Sequence, residues 1–177
     1  MSTFMHRSYG FYEHDAVPGI YGTETYEKPV KWLLETCESI EDWGCGYGYA
    51  RRFVPEGKYF GVDGSPDAAP YADKIADLTG YTSSVDGIFM RHILEHNLRW
   101  REILMNMVDS FTARLALVMF TPFGEVTEAM GDPAGLVDLS FRKEDITGFF
   151  KGLTWTEEHL ETDTQYGQEH IFYVERA

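Results

Sequence analysis

The sequence predicts an α/β fold built on a mostly parallel sheet, and three stretches carry that expectation. Ile40-Glu41-Asp42-Trp43 reads as a short buried strand running into a glycine-rich turn, Gly44-Cys45-Gly46-Tyr47-Gly48. A second strand-like run, Tyr59-Phe60-Gly61-Val62, ends in another acid, Asp63, about twenty residues after Asp42. Val85-Asp86-Gly87-Ile88-Phe89-Met90 is mostly apolar, as a central parallel strand covered on both faces has to be. Strand, glycine turn, helix and acid-tipped strand form one βαβ unit suited to a nucleoside. The glycines let the backbone turn sharply and lie against a ligand. The second acid can accept hydrogen bonds from two ribose hydroxyls.

Composition narrows the class. The chain has 177 residues, 44% apolar and 15% aromatic, which fits one domain with its own core and excludes disorder. The expected organisation is a single domain over 1–177, with 1–26 an aromatic-rich N-terminal flap and 27–177 the core. No apolar run reaches the roughly 18 residues that a membrane-spanning helix needs. Met1 to Arg7 lacks the apolar segment of a signal peptide, so the expected compartment is the cytoplasm. A net charge of −14 with no basic stripe argues against nucleic acid as a partner. Cys37 and Cys45 read as reduced thiols, and no metal-ligand spacing is present. The chain is expected to act as a monomer or homodimer.

Taken in order, residues 1–26 combine Tyr9, Phe11, Tyr12, Tyr21 and Tyr26 with Gly10, Pro18, Gly19 and Gly22. That is too irregular for a long helix and too aromatic to float in water, so an ordered flap is expected. It is either a cap on exposed core or a lid from which Tyr12, Tyr21 or Tyr26 meets a substrate. A helix is predicted from Glu27 to Glu38, with Pro29 in its first turn and Val30, Leu33, Leu34 and Cys37 as its buried stripe. After the glycine turn comes a brief helix, Tyr49 to Val54, stopped by Pro55 and Gly57. Tyr59 to Asp63 is the second strand, Ser65 caps a short helix, and Lys74 to Leu78 is a small third strand.

The fourth strand, Val85 to Met90, leads into Arg91-His92-Ile93-Leu94-Glu95-His96. That run stands at the strand's carboxyl end, where open α/β sheets place their ligands. Trp100, Ile103, Leu104, Met107, Val108 and Phe111 give the apolar face of a helix from Leu98 to Phe111. Leu115 to Thr121 is the fifth strand. Residues 122–139 read as a long charged loop and a second wall for the substrate. Ser140 is expected to cap a helix reaching Phe150. Leu153–Thr162 and Glu169–Glu175, joined by a short turn, must pair antiparallel.

The glycine spacing discriminates between ligands. Dinucleotide folds use G-x-G-x-x-G, with pyrophosphate on a helix N-terminus. Here the pattern is G-x-G-x-G, with Asp42 two residues ahead. An acid there repels a pyrophosphate and attracts an ammonium group, which points to a nucleoside carrying an amino acid. Asp42-Trp43-Gly44-Cys45-Gly46-Tyr47-Gly48, Gly61-Val62-Asp63-Gly64-Ser65 and Leu94-Glu95-His96 together resemble the motifs of class I S-adenosylmethionine-dependent methyltransferases, in particular their small, single-domain, type-11-like members. The resemblance covers roughly residues 28–177.

It implies a Rossmann-like three-layer sandwich whose seven-stranded sheet runs 3-2-1-4-5-7-6 with strand 7 antiparallel. It also implies S-adenosylmethionine as cofactor and S-adenosylhomocysteine as product. Asp42, Gly44, Cys45 and Gly46 would meet the methionine end, Asp63 the ribose, and Gly64 and Ser65 the nucleoside. Asp77 and Leu78 would border the adenine, and Arg91 and His92 complete the cofactor side. His92 or His96 would serve as a base. Tyr12, Tyr21, Tyr26, Glu95 and His96 would face the substrate. A two-histidine metal site with Glu95 lacks a clear third ligand, so no metal is expected. The Asn/Asp-Pro-Pro-aromatic run of nucleic-acid amino-methylating enzymes is absent after Phe89. The expected activity is methylation of an O or N nucleophile on a small molecule. Two alternatives stay open: a regulatory protein that binds S-adenosylmethionine or S-adenosylhomocysteine without turnover, and another S-adenosylmethionine-using transferase.

Overall fold

The computed structural model describes residues 23–131 and 137–177. Its centre is a seven-stranded sheet in the order β3-β2-β1-β4-β5-β10-β9. The strands are β1 (Ile40–Trp43), β2 (Tyr59–Asp63), β3 (Lys74–Ile75), β4 (Val85–Arg91), β5 (Phe111–Met119), β9 (Thr154–Glu161) and β10 (Gln168–Glu175). Numbered among themselves they run 3-2-1-4-5-7-6, the order expected. The first five pair parallel, so all point their carboxyl ends to one edge. β10 runs antiparallel to β5 and to β9, and this hairpin brings Gln168 and Glu169 back to that same edge.

Helices cover both faces, because alternate residues of each strand point to opposite sides. Ile88, Met90, Leu115 and Leu117 pack under α2 (Trp100–Ser110), against Trp100, Ile103, Leu104 and Met107. Phe89, Ala116 and Val118 face the other way, onto Val30 and Leu33 of α1 (Glu24–Leu34). Each large side chain buried in this way contributes about 1.5–3 kcal/mol. The central strands therefore hold the edge that carries the candidate site rigidly.

Several sequence expectations are corrected. α1 begins at Glu24 and ends at Leu34, so Tyr26 belongs to a helix rather than to a flap, and Pro29 lies inside the helix. Glu24 and Glu27 in the first turn favour the earlier start. The chain leaves the helix at Glu35, but Cys37 N still bonds Leu33 O at 2.8 Å, which keeps Cys37 in the core. Tyr12 and Tyr21 lie outside the described residues. β5 starts at Phe111, which had read as the last residue of the helical stripe; its backbone is already extended (φ −79°, ψ 144°).

The stretch read as a loop contains β6 (Phe123–Gly124), β7 (Glu128–Gly131) and β8 (Val137–Arg142). They form a second sheet in the order β6-β8-β7. Ser140 is a strand residue whose hydroxyl donates to Pro122 O at 2.7 Å, not a helix cap. The helix after it is short, α3 (Lys143–Thr147), continued by one 3-10 turn to Phe150. No helix among the described residues is long and apolar enough to cross a membrane.

Candidate active site

The turn after β1 is shaped by three positive φ angles, at Gly44 (79°), Gly46 (51°) and Gly48 (65°). A Cβ at Gly44 would fall 2.1 Å from Ile93 Cδ1, so the turn lies directly against the segment that follows β4. Gly44 N and Cys45 N both donate to Val62 O, at 2.7 and 3.2 Å. The Asp63 carboxyl organises the rest: Oδ2 accepts from Gly46 N and Oδ1 from Ser65 N, each at 2.8 Å. Ser65 in turn caps the 3-10 turn that follows, through Asp67 N at 3.2 Å. Cys45 is buried, with its Sγ filling the space beside Gly61, and burial pushes its thiol far above the ordinary range.

Asp42 is only 3% exposed, and its Oδ2 accepts from Tyr59 Oη at 2.6 Å. Burial pushes its carboxyl up to about 7, against the pull of the Tyr59 bond and with the help of nearby Asp63. Burial also raises Asp63, against three backbone N–H groups. Among the described residues neither acid makes an ion pair. Asp77 stands exposed beyond β3, its Oδ1 accepting from Thr79 N and Oγ1 at 2.9 and 2.7 Å. Leu78 turns into the core beside α2.

Along the same edge, beyond β4 and β10, the charges are paired. Arg91 is almost fully buried and donates to Glu169 Oε1 (2.8 Å), Tyr26 Oη (3.1 Å) and Thr25 Oγ1 (3.1 Å). Its guanidinium also lies 4.2 Å over the Tyr26 ring. His92 takes a left-handed backbone (φ 57°), and its Nε2 lies 2.6 Å from the same Glu169 oxygen. Burial, and then Arg91, hold the His92 imidazole down to about 3 despite Glu169. Burial would raise Glu169, but its His92 bond and the Arg91 charge outweigh that and lower it.

Glu95 is fully buried. Its Oε1 accepts from Phe120 N at 2.7 Å, Oε2 has no hydrogen-bond partner, and burial pushes it up to about 8. His96 ends the 3-10 turn Leu94–His96, with Nδ1 3.0 Å from Oδ1 of the buried Asp138 on β8. The other Asp138 oxygen accepts from Tyr166 Oη at 3.0 Å. His92 and His96 do not share a helical face; their rings instead flank Phe120, with centroids at 4.6 and 5.5 Å.

No family model matches the chain, and no curated protein matches it in sequence. Solved structures do. Magnesium protoporphyrin IX methyltransferase from Synechocystis, with bound S-adenosylhomocysteine, superposes with a TM-score of 0.68 at 18% identity, over 88% of this chain and 83% of that one. The 1,6-didemethyltoxoflavin-N1-methyltransferase of Burkholderia thailandensis, holding its acceptor and S-adenosylhomocysteine, gives 0.67 at 14% identity, over 86% and 78%. An amino pentose methyltransferase from Micromonospora echinaspora with bound S-adenosylmethionine gives 0.59 at 12% identity, over 85% and 89%. The fold is that of the class I S-adenosylmethionine-dependent methyltransferases.

On this methyltransferase fold the residues singled out in the sequence divide into groups. Asp42, Gly44, Cys45, Gly46, Asp63, Gly64 and Ser65 converge around one turn. Arg91 and His92 converge on Glu169. His96 stands with Asp138, Glu95 is sealed beneath Phe120, and Asp77 stands apart at the surface. Thr25, Tyr59, Asp138, Tyr166 and Glu169 were not singled out. The one local hint was an acid inside an apolar run, Val137-Asp138-Leu139, where strand alternation demands a buried partner. A cleft of about 600 Å³ opens near Arg91 rather than at the glycine turn, lined by Glu24, Thr25, His159, Glu161, Tyr166 and Gln168 among others.

Proposed function

We propose that this protein transfers a methyl group from S-adenosylmethionine to a small-molecule acceptor. The observation that carries the reading is the pair of buried acids at the tips of β1 and β2, set around positive-φ glycines and, among the described residues, in no ion pair with a cation of the protein. Two buried carboxyls side by side are costly unless something supplies positive charge and hydrogen-bond donors. A sulfonium nucleoside with an ammonium group and two ribose hydroxyls supplies both. The carboxyl of Asp63 spends only part of its accepting capacity on Gly46 and Ser65, which leaves lone pairs for hydroxyls.

In this reading Asp63 takes the ribose, and Gly64 and Ser65 run beside the nucleoside. Asp42 and the backbone of Gly44, Cys45 and Gly46 face the cationic amino-acid end. Asp77 and the chain at Leu78 border the base. Arg91 and His92, committed to Glu169, complete the cofactor side by holding the segment whose Ile93 lies against Gly44. Bound S-adenosylmethionine supplies a methyl group already activated on sulfur, so the residues around it have chiefly to align the acceptor. The neighbours with this fold act on a porphyrin, a toxoflavin precursor and an amino pentose, which supports a small organic acceptor here.

The test is calorimetry with S-adenosylmethionine on the wild-type protein and Asp63→Ala. Losing two hydrogen bonds to a charged acceptor, roughly 3 kcal/mol or more, is expected to weaken binding on the order of a hundredfold or beyond. Unchanged affinity removes the assignment. Tight binding with no labelled product from a broad metabolite screen would identify a protein that holds the nucleoside without turning it over.

A further inference from the structure

We propose that His96 is the general base of the reaction, that Asp138 positions it, and that the acceptor is a hydroxyl compound; this rests on the methyl transfer proposed above. The placement comes first. His96 sits at the end of the turn just past β4, and that turn is locked by His96 N to Ile93 O (3.2 Å) and by Asn97 Nδ2 to the same oxygen (2.6 Å). Asp138 reaches this turn from β8, the central strand of the small second sheet. The acid is sealed from solvent, and its second oxygen is held by Tyr166. His96 itself keeps 25% of its side chain exposed. The contact is close but not aligned as a hydrogen bond, and the carboxylate charge 3.0 Å from Nδ1 favours the tautomer with its proton there, leaving the lone pair on Nε2. Among the described residues no protein group stands on Nε2.

The other titratable groups near this edge are spoken for. His92 has its Nε2 on Glu169, and Glu169 also carries Arg91. Glu95 is sealed under Phe120 N. His170 is held by Glu157, and His159 faces Gln168 on the hairpin. His170 is oriented by its acid in the same way but keeps only 11% of its side chain exposed, so among the described residues His96 is the acid-oriented imidazole most open to solvent. Such a group matters for a hydroxyl acceptor, whose attack must shed a proton, and is idle for an amine that already offers a lone pair. In the step, an oxygen lone pair of the acceptor forms the bond to the methyl carbon. The carbon–sulfur bond breaks with its electrons staying on sulfur, and the hydroxyl proton passes to His96 Nε2 and from there to water.

The first experiment needs no acceptor. Imidazole 15N NMR at pH 8 is expected to show His96 with its proton on Nδ1, and Asp138→Asn to lose that preference while circular dichroism stays unchanged. A proton on Nε2 in the wild type, or a tautomer indifferent to Asp138→Asn, overturns the proposal. The second experiment uses labelled S-adenosylmethionine with matched probes, catechol against o-phenylenediamine and 4-nitrophenol against 4-nitroaniline. Labelling of the hydroxyl members, reduced about a hundredfold or more by His96→Gln at unchanged cofactor affinity, supports it. Labelling of the amines alone, or a His96→Gln protein fully active on the hydroxyls, overturns it. If no probe is labelled, the tautomer result decides. Failure of the wild type to bind S-adenosylmethionine would sink the methyl-transfer reading instead, and the calorimetry identifies that case separately.

Discussion

Among the described residues Asp42 and Asp63, at the tips of β1 and β2, bond only to hydroxyl and backbone N–H groups, whereas Glu169 and Asp138, on the same edge of the molecule, meet a guanidinium or imidazole nitrogens. Both regions bury acids at strand ends, Asp42 and Asp63 toward the carboxyl ends of β1 and β2, Glu169 and Asp138 near the amino ends of β10 and β8. Among the described residues one region gives its acids no ion pair, only the more distant charges of Arg51 and Arg91 on Asp42, and the other sets a basic group from a distant part of the chain beside each acid. The first arrangement is the one that the proposed cationic ligand would complete. The second is finished by the protein and spends its acids on geometry: Arg91 ties α1 to β10, and Asp138 ties the small sheet to the turn after β4.

Breaking the self-contained side has the largest expected effect. Glu169→Ala leaves Arg91 buried without its partner, and removing one member of such a pair costs about 3–5 kcal/mol. Urea denaturation measures it, and a loss below about 1 kcal/mol would show that the two regions do not differ as described. Next is Glu95, which is buried on that side and, among the described residues, has no basic group bonded to it. Its folded-state pKa of about 8 lies above the ordinary carboxylate range, so the native protein keeps a proton that the unfolded chain gives up. Stability is therefore full below the ordinary glutamate pKa and falls as pH rises toward and through 8, on the order of a few kcal/mol in all. Glu95→Gln is expected to flatten that decline, read as melting temperature from pH 5 to 9; an unchanged slope places the ionisation elsewhere.

The smallest effect probes the incomplete side. Asp42 is raised to about 7 in the free protein, and a bound cation favours its ionised form. Cofactor affinity is then expected to fall by up to about tenfold per pH unit below 7 and to level off above it. Tyr59→Phe removes the bond that stabilises the ionised carboxyl and is expected to move the break point upward. A flat profile for both proteins would mean that Asp42 faces no charge.

The incomplete half was legible in the sequence and the complete half was not. Asp42, the glycines and Asp63 lie within one βαβ unit, whose spacing is local and chemically restrictive. The partners of Arg91 and His96 come from 42 or more positions away, Thr25, Glu169 and Asp138, and no periodicity links them. The small sheet escaped for a related reason. Phe123–Gly124 and Glu128–Gly131 are too short and too polar or glycine-bearing to read as strands until β8 lies between them. Of the parallel strands, β1, β2 and β4 match the sequence reading to within a residue, because burial on both faces leaves runs such as Ile88-Phe89-Met90 no other reading, whereas β3 is shorter and β5 starts four residues earlier than its composition suggests.

His92 leaves β4 with a left-handed backbone, a conformation that costs an ordinary residue on the order of 1 kcal/mol or more. What holds it there is its imidazole, seated between Glu169 and the face of Phe120. The direction in which the chain departs toward Glu95 and His96 is thus governed by a side-chain anchorage rather than by backbone preference. Unseat that ring and the main chain gains freedom to relax, so the two halves of the edge share a latch: the imidazole that meets Glu169 also sets the course of the segment whose Ile93 lies against Gly44.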